Sequence, residues 1–260
     1  ELGVPPNAVP RSRTNVYAFL QDEWRIAPDW TVTAGARIDY YSSFGETINP
    51  RVSVVWAASP ELTLKALYGR AFRPPTFLES TEGAGQIAIG NPNLKPEMTD
   101  TFEFVIQRDW GRRLKTSLKG YFYQTDDLIT IAPDALTSIP TFMNSNGTNG
   151  YGVEFDVDLT LTENAHAKFG YSFQESRFRT SKEATGFAPR HQAYAEGRWR
   201  ISPNLAMTLG VKYVGERRRA PGDLRENVGS YFWGTAAVRY SPDQDGPLFA
   251  TLSVENLFDV

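Results

Sequence analysis

The sequence predicts an all-β chain, an antiparallel transmembrane β-barrel segment of about twelve strands. Three observations carry this. Apolar and polar residues alternate with a period of two over a dozen short stretches. The connections between them are short and long by turns. Most tryptophans stand at one end, beside the short connections.

The stretches lie near 14–26, 30–42, 49–57, 62–73, 98–110, 114–131, 150–161, 164–177, 190–201, 204–216, 229–240 and 248–258. The second is the plainest: Trp30, Val32, Ala34, Ala36, Ile38 and Tyr40 share one face, and Thr31, Thr33, Gly35, Arg37 and Asp39 the other. The same split separates Tyr151, Val153, Phe155 and Val157 from Gly152, Glu154, Asp156 and Asp158. It returns at Leu205, Met207, Leu209, Val211 and Tyr213. Two stretches fit less well, because Asp22 interrupts the apolar face of the first, and in the sixth Tyr121 and Tyr123 share a face with Lys115 and Lys119. In a membrane the apolar faces point to lipid, so Val32, Ala34, Ile38, Val153, Phe155, Val157, Leu205, Leu209 and Val211 are expected outward. Arg37, Glu154, Asp156 and Lys212 are expected inward.

Tight connections are expected at Ala27-Pro-Asp29, Ser59-Pro60, Gly111-Arg112, Glu163-Asn164 and Ser202-Pro-Asn204, where Pro, Gly and Asn suit turns. Longer segments rich in Gly, Pro, Ser and Asn fall at every second connection: 43–48, 74–97, 132–149, 178–189 and 217–228. Short turns at one end and long loops at the other are the pattern of outer-membrane barrels, and a soluble sandwich has no reason to sort loops by parity. Trp24, Trp30, Trp56, Trp110 and Trp199 all lie near short turns, and Trp233 lies toward a long-loop end. That is how amphipathic rings mark a membrane interface; scattered core tryptophans would not collect at one end.

Composition narrows the alternatives. With 22% charged residues and a net charge of −3 there is no nucleic-acid signature. Cysteine is absent and there are two histidines, which excludes a disulfide framework and leaves little for a histidine metal site. No apolar run nears the roughly 20 residues of a spanning helix. Glu1-Leu-Gly-Val-Pro-Pro6 has neither the basic start nor the apolar core of a signal peptide. His166 and His191 have no nucleophile motif around them, and Asp126-Asp127 has no base partner nearby, so no enzyme is expected. Glu154, Asp156 and Asp158 have a metal-like spacing of two, but one strand offers a calcium ion too few converging oxygens, and lumen solvation suits them better. No cofactor is expected.

Four motifs give the chain a family resemblance. Phe72-Arg73-Pro74-Pro75-Thr76 is followed by Glu79, and then come Asn91-Pro92-Asn93-Leu94-Lys95-Pro96-Glu97, Gly150-Tyr-Gly152-Val-Glu154 and Asn256-Leu257-Phe258-Asp259. In this order they resemble the barrel motifs of TonB-dependent outer-membrane receptors. The resemblance implies a barrel of about 22 strands closed around a folded plug. Residues 1–260 then correspond to the C-terminal part of that barrel, with the plug, the early strands and the last strand absent. Such a piece is expected to be an open, curved sheet, since its first and last strands, near Tyr17 and Val254, would have to pair in a register the whole barrel never uses.

The resemblance also implies function: active transport in the outer membrane of a Gram-negative bacterium. The substrate is a metal chelate, most readily a ferric siderophore, and energy comes from the TonB complex through the missing plug. Two alternatives are a passive porin-like channel and a cobalamin or haem receptor of the same family. Residues 76–90, which in haem receptors carry a histidine ligand, contain neither His nor Tyr, so haem falls behind. Arg217, Arg218, Arg219 and Arg225 cluster in one long loop and are candidates for an anionic ligand, because guanidinium groups grip carboxylate and phosphate bidentately. Outer-membrane lipid, lipopolysaccharide and water are their other possible partners.

Overall fold

In the computed structural model, which describes residues 12–82, 88–134, 137–243 and 247–258, the regular structure is nearly all strand. The order is β1 (Asn15–Ala27), β2 (Trp30–Tyr41), β3 (Gly45–Ser59), β4 (Leu62–Arg73), β5 (Glu97–Asp109), β6 (Leu114–Asp126), β7 (Leu128–Pro133), β8 (Pro140–Ser145), β9 (Thr148–Thr162), β10 (Ala165–Phe178), β11 (His191–Ser202), β12 (Leu205–Val214), β13 (Tyr231–Tyr240) and β14 (Ala250–Glu255). Twelve of these form one antiparallel meander, β1-β2-β3-β4-β5-β6-β9-β10-β11-β12-β13-β14, and β7 and β8 form a separate hairpin above it. Among the described residues β1 and β14 are the two edges and no ladder joins them. The sheet is open, as expected of part of a larger barrel.

The register confirms the facing. Odd-numbered Tyr17, Asp39 and Thr47 lie in one row, and Phe19, Arg37 and Asn49 in the next, while Ala18, Ile38 and Ile48 share the opposite face. The polar face is concave: a hollow bounded by Thr63, Gln107, Lys115, Asp156, Lys168 and Tyr194 draws on β4, β5, β6, β9, β10 and β11. Its charges answer one another across strands, with Lys119 between Glu103 and Glu154 and with Tyr194 donating to Asp156. The opposite face is apolar and exposed, Phe102 at 51% and Phe104 at 50%. A one-layer sheet has no interior, and in a membrane lipid takes the place of a core.

Four corrections apply to the predicted connections and strands. The segment 43–48 is not a loop, because β3 begins at Gly45, whose φ of +92° closes a tight three-residue connection beneath the stacked rings of Tyr41 and Phe44. The sixth strand does not run to 131, because Asp127 at φ +53° breaks it and Leu128–Pro133 leaves the sheet to pair with Pro140–Ser145. The seventh expected strand, β9, begins earlier than 150, at Thr148, and the last is shorter, Ala250–Glu255. The segments 74–97, 178–189 and 217–228 and all five tight turns fall near where expected, whereas 132–149 contains β8 and the start of β9. Irregular registers at Arg25/Ala27, Ala57/Ser59, Ala165/His166 and Arg200/Ser202 all sit beside short turns, where extra twist lets neighbouring strands meet. Pro50 ends the β3–β4 ladder at the Arg51–Gly69 pair, as a residue without an N–H must.

The tryptophans sit as the turns suggest. Trp30 and Trp56 stack at 5.1 Å beside the first two short turns, and Trp56 Nε1 donates to Asp29. Trp110 donates to Thr116 in the next. Trp233 pairs in register with Lys212 on the lumen side, near the long-loop end.

Candidate functional site

The long loops are built on strand ends that the motifs secure. Arg73, the last residue of β4, sends Nε and Nη2 to the two carboxylate oxygens of Glu97 at 2.7 and 2.6 Å. Its guanidinium also holds Glu79 at 3.0 and 3.1 Å. Glu79 in turn accepts from the backbone N–H of Thr76, while Thr76 Oγ1 accepts from the N–H of Glu79. That reciprocal pair is a Thr-x-x-Glu capping box, and it starts the single π-helical turn Leu78–Glu82. Burial alone would push the Glu79 carboxyl up, but the Arg73 fork and the two Thr76 donors outweigh it and hold the group below its ordinary value. Sequence reading found Glu79 in the motif but missed the cap, whose signal was present in Thr76-Phe-Leu-Glu79.

The second motif fastens the returning chain to the β7–β8 hairpin. Asn91 Nδ2 donates to the carbonyl of Phe142, and Asn91 Oδ1 accepts from the N–H of Asn93, closing a turn around Pro92. Leu94 is buried with Ala88 and Phe142, and Ile129 packs on them. Past Pro96, Glu97 Oε1 accepts from the Ile129 N–H, and Asn144 bonds both to Lys95 and to the Asp127 carbonyl. The segment 88–97 and the β7–β8 hairpin are therefore joined in one layer. Phe72 joins the edge of an aromatic group with Tyr41 and Phe44, and Pro74 ends the strand.

The third motif makes room on the lumen wall. A Cβ on Gly150 would come within 2.2 Å of the Tyr123 ring, and one on Gly152 within 2.4 Å of the Tyr121 hydroxyl. The glycines let both tyrosines of β6 lie flat across β9, which answers why they share a face with lysines. Glu154 lies opposite Lys119. Of the fourth motif, Asn256 turns at φ +55°, Leu257 donates its N–H to the Gly234 carbonyl and Phe258 covers Gly234. Asp259 lies outside the described residues.

The candidate arginines divide. Arg225 is held by Asp223 through several hydrogen bonds in the same loop, and this partner pulls the Asp223 carboxyl down to about 2. Arg217 knits the loop by backbone bridges to Pro189 and Val228, and its Nε is buried without a hydrogen-bond partner. Arg218 accepts the Phe187 N–H on its carbonyl and lines a cavity of about 140 Å³ with Tyr123, Gln174, Ser176 and Arg190. Arg219 donates to the Glu226 carbonyl. Among the described residues Arg217, Arg218 and Arg219 form no ion pair, whereas Arg73, Arg177, Arg179, Arg190 and Arg225 each hold a carboxylate. These three guanidinium groups thus lack a direct carboxylate contact, although Arg219 acts through space on Asp223.

Comparison with known proteins agrees with this geometry. The family model described as TonB dependent receptor-like, beta-barrel matches residues 2–257. An iron-regulated outer membrane virulence protein of Vibrio cholerae is 27% identical over 95% of the chain and 41% of its own length. The vitamin B12 transporter BtuB of the same organism is 29% identical over 80% of the chain and 32% of its length. Among solved structures, the ferric enterobactin receptor PfeA of Pseudomonas aeruginosa superposes with a TM-score of 0.84 at 18% identity, covering 98% of the chain and 42% of PfeA. The chain therefore spans about four-tenths of the first of these relatives.

Proposed function

We propose that this chain serves TonB-dependent uptake of a ferric siderophore, from the premise that it belongs to the TonB-dependent outer-membrane receptor family, a transport family. The chain supplies barrel wall and outer loops. A plug encoded elsewhere in the protein fills the lumen and couples to the TonB complex.

The observation that supports the ligand class is that Arg217, Arg218 and Arg219 hold no carboxylate among the described residues, with Arg218 lining the loop cavity. A ferric siderophore presents oxyanions, and forked guanidinium groups bind these best when no carboxylate already occupies them. The names of the V. cholerae relative and of PfeA point the same way. Changing Arg217, Arg218 and Arg219 together to Ser in the full-length receptor should weaken binding of ferric enterobactin, used as the probe, by about tenfold or more. Unchanged binding by that variant means the loop arginines serve lipopolysaccharide or solvent instead.

A further inference from the structure

The lumen face carries a hollow of about 440 Å³ at its short-turn end, walled by β10 to β14. Two rows in register build it. In one, His166 stands opposite Arg198, and Arg198 opposite Thr208. In the next, nearer the turns, Arg200 stands opposite Ala206, Ala206 opposite Arg239, and Arg239 opposite Thr251. Arg198 and Arg200 continue the alternation of Tyr194, whose hydroxyl donates to Asp156 on the lumen wall, so both arginines lie on the inward face. Long cationic side chains thus surround short ones, and the short ones leave the space.

The charge around the hollow is unbalanced. Arg198 gives its Nε to Glu196 at 2.9 Å, which leaves the rest of its fork for another partner. Among the described residues Arg200 and Arg239 hold no carboxylate, and Glu163 is the one acid on the lining. Elsewhere on the same wall cations are answered: Lys119 by Glu103 and Glu154, Lys115 by Asp109, and Lys168 by Asp158. Arg239 lies over the Phe249 ring at 3.9 Å, a contact that orients the guanidinium plane without occupying its N–H groups.

Position gives the hollow a direction, because short turns face the periplasm in outer-membrane barrels. The arginines at 217–219 and those of the hollow stand at opposite ends of β12, roughly 25 Å apart along the strand. Between them Lys212, in register with Trp233 on the lumen side, also holds no carboxylate among the described residues. An oxyanion that leaves the loop arginines therefore meets cations without partners again where the lumen opens inward. We infer that the hollow is a release-side site for the oxyanion groups of the transported chelate, held by Arg198, Arg200 and Arg239. Its ligand rests on the ferric-siderophore reading; its preference for anions rests on the charges of the hollow alone.

The test uses full-length receptor in detergent with Thr251→Cys as its sole thiol, probed by methanethiosulfonate reagents bearing either a sulfonate or a trimethylammonium group. With each rate divided by that reagent's rate on a free thiol, the anionic reagent should react about tenfold faster, and high salt should shrink the difference. Arg200→Gln with Arg239→Gln should cut the preference to about twofold or less, and Arg200→Lys with Arg239→Lys, which keeps the charge, should retain most of it. In cells given ferric enterobactin, the Gln pair without the cysteine should leave surface binding within about twofold and slow accumulation per receptor by about fivefold, with the Lys pair restoring it. Heat-modifiable mobility reports folding, and if the Gln pair fails to fold, Arg239→Gln alone decides. Equal corrected rates, no reaction of either reagent, or a preference that survives in the folded Gln variant overturns the site. A preference that disappears while accumulation is undiminished overturns its role in release. Absence of ferric enterobactin uptake by wild type counts against the siderophore reading, and the labelling rates still decide the site.

Discussion

Arg73 and Glu97 face each other on the last rung of the β4–β5 ladder, joined by hydrogen bonds of 2.7 and 2.6 Å. The pair stands where the sheet ends and the loop layer begins. Glu97 passes the connection on to the Ile129 N–H, and Arg73 passes it to Glu79. Arg73→Ala should therefore loosen the loops and spare the barrel, at a cost of about 1–3 kcal/mol, reduced by the partial exposure of the guanidinium. Limited proteolysis should show faster cleavage within 74–96 and 128–145, with heat-modifiable mobility unchanged. Glu97→Gln, which can still accept from Ile129, should be milder than Glu97→Ala.

The same latch gives a pH dependence. The Glu79 carboxyl is lower in the folded protein than its ordinary value of 4.5, so its stabilisation is complete above that value. It fades only as the pH falls below 4.5 through the folded pKa. Hydrogen exchange at the Thr76 and Glu79 amides should hold steady from neutral pH to about 5 and then rise on further acidification, beyond the intrinsic change of free peptides. Glu79→Gln should flatten that response.

Facing is testable at adjacent residues. Val157 lies with Phe169 on the apolar face, and Asp156 lies in the lumen near Tyr194. Val157→Arg should destabilise refolding into lipid by about 2–3 kcal/mol, and Asp156→Arg by much less. Equal costs would mean that the faces are assigned wrongly.

Gly150 and Tyr123 should be coupled. Gly150→Ala places a methyl group against the Tyr123 ring and should cost about 1–3 kcal/mol. In a Tyr123→Ala background the same change should cost little, leaving a clear interaction energy in a double-mutant cycle.

Most of the sheet was legible because a barrel strand writes its two solvents into alternate residues, as in Trp30 to Tyr41 and Tyr151 to Leu159. Where legibility failed, local backbone geometry or contacts distant in sequence were responsible. The turn before Gly45 looked like a loop because Ser42-Ser-Phe44 has loop composition, while its tightness depends on a positive φ. The apolar run Leu128–Ile131 looked like a continuation of β6 because nothing in its period marks the break at Asp127 or the partner strand Pro140–Ser145. For the site, the arginines were visible as a cluster. That Asp223 holds Arg225 while, among the described residues, no carboxylate holds Arg218 emerges only from the folded loop.

The central claim is energised uptake of a ferric chelate, and it is tested most directly by radioiron transport in cells producing the full-length protein as their sole such receptor, with ferric enterobactin supplied as the probe. Accumulation should depend on the receptor and should stop when TonB is deleted or the proton gradient collapsed, while binding at the cell surface persists. Accumulation that continues without TonB would contradict the account and favour a passive channel, and no binding or accumulation of any ferric siderophore offered would remove the ferric-siderophore reading.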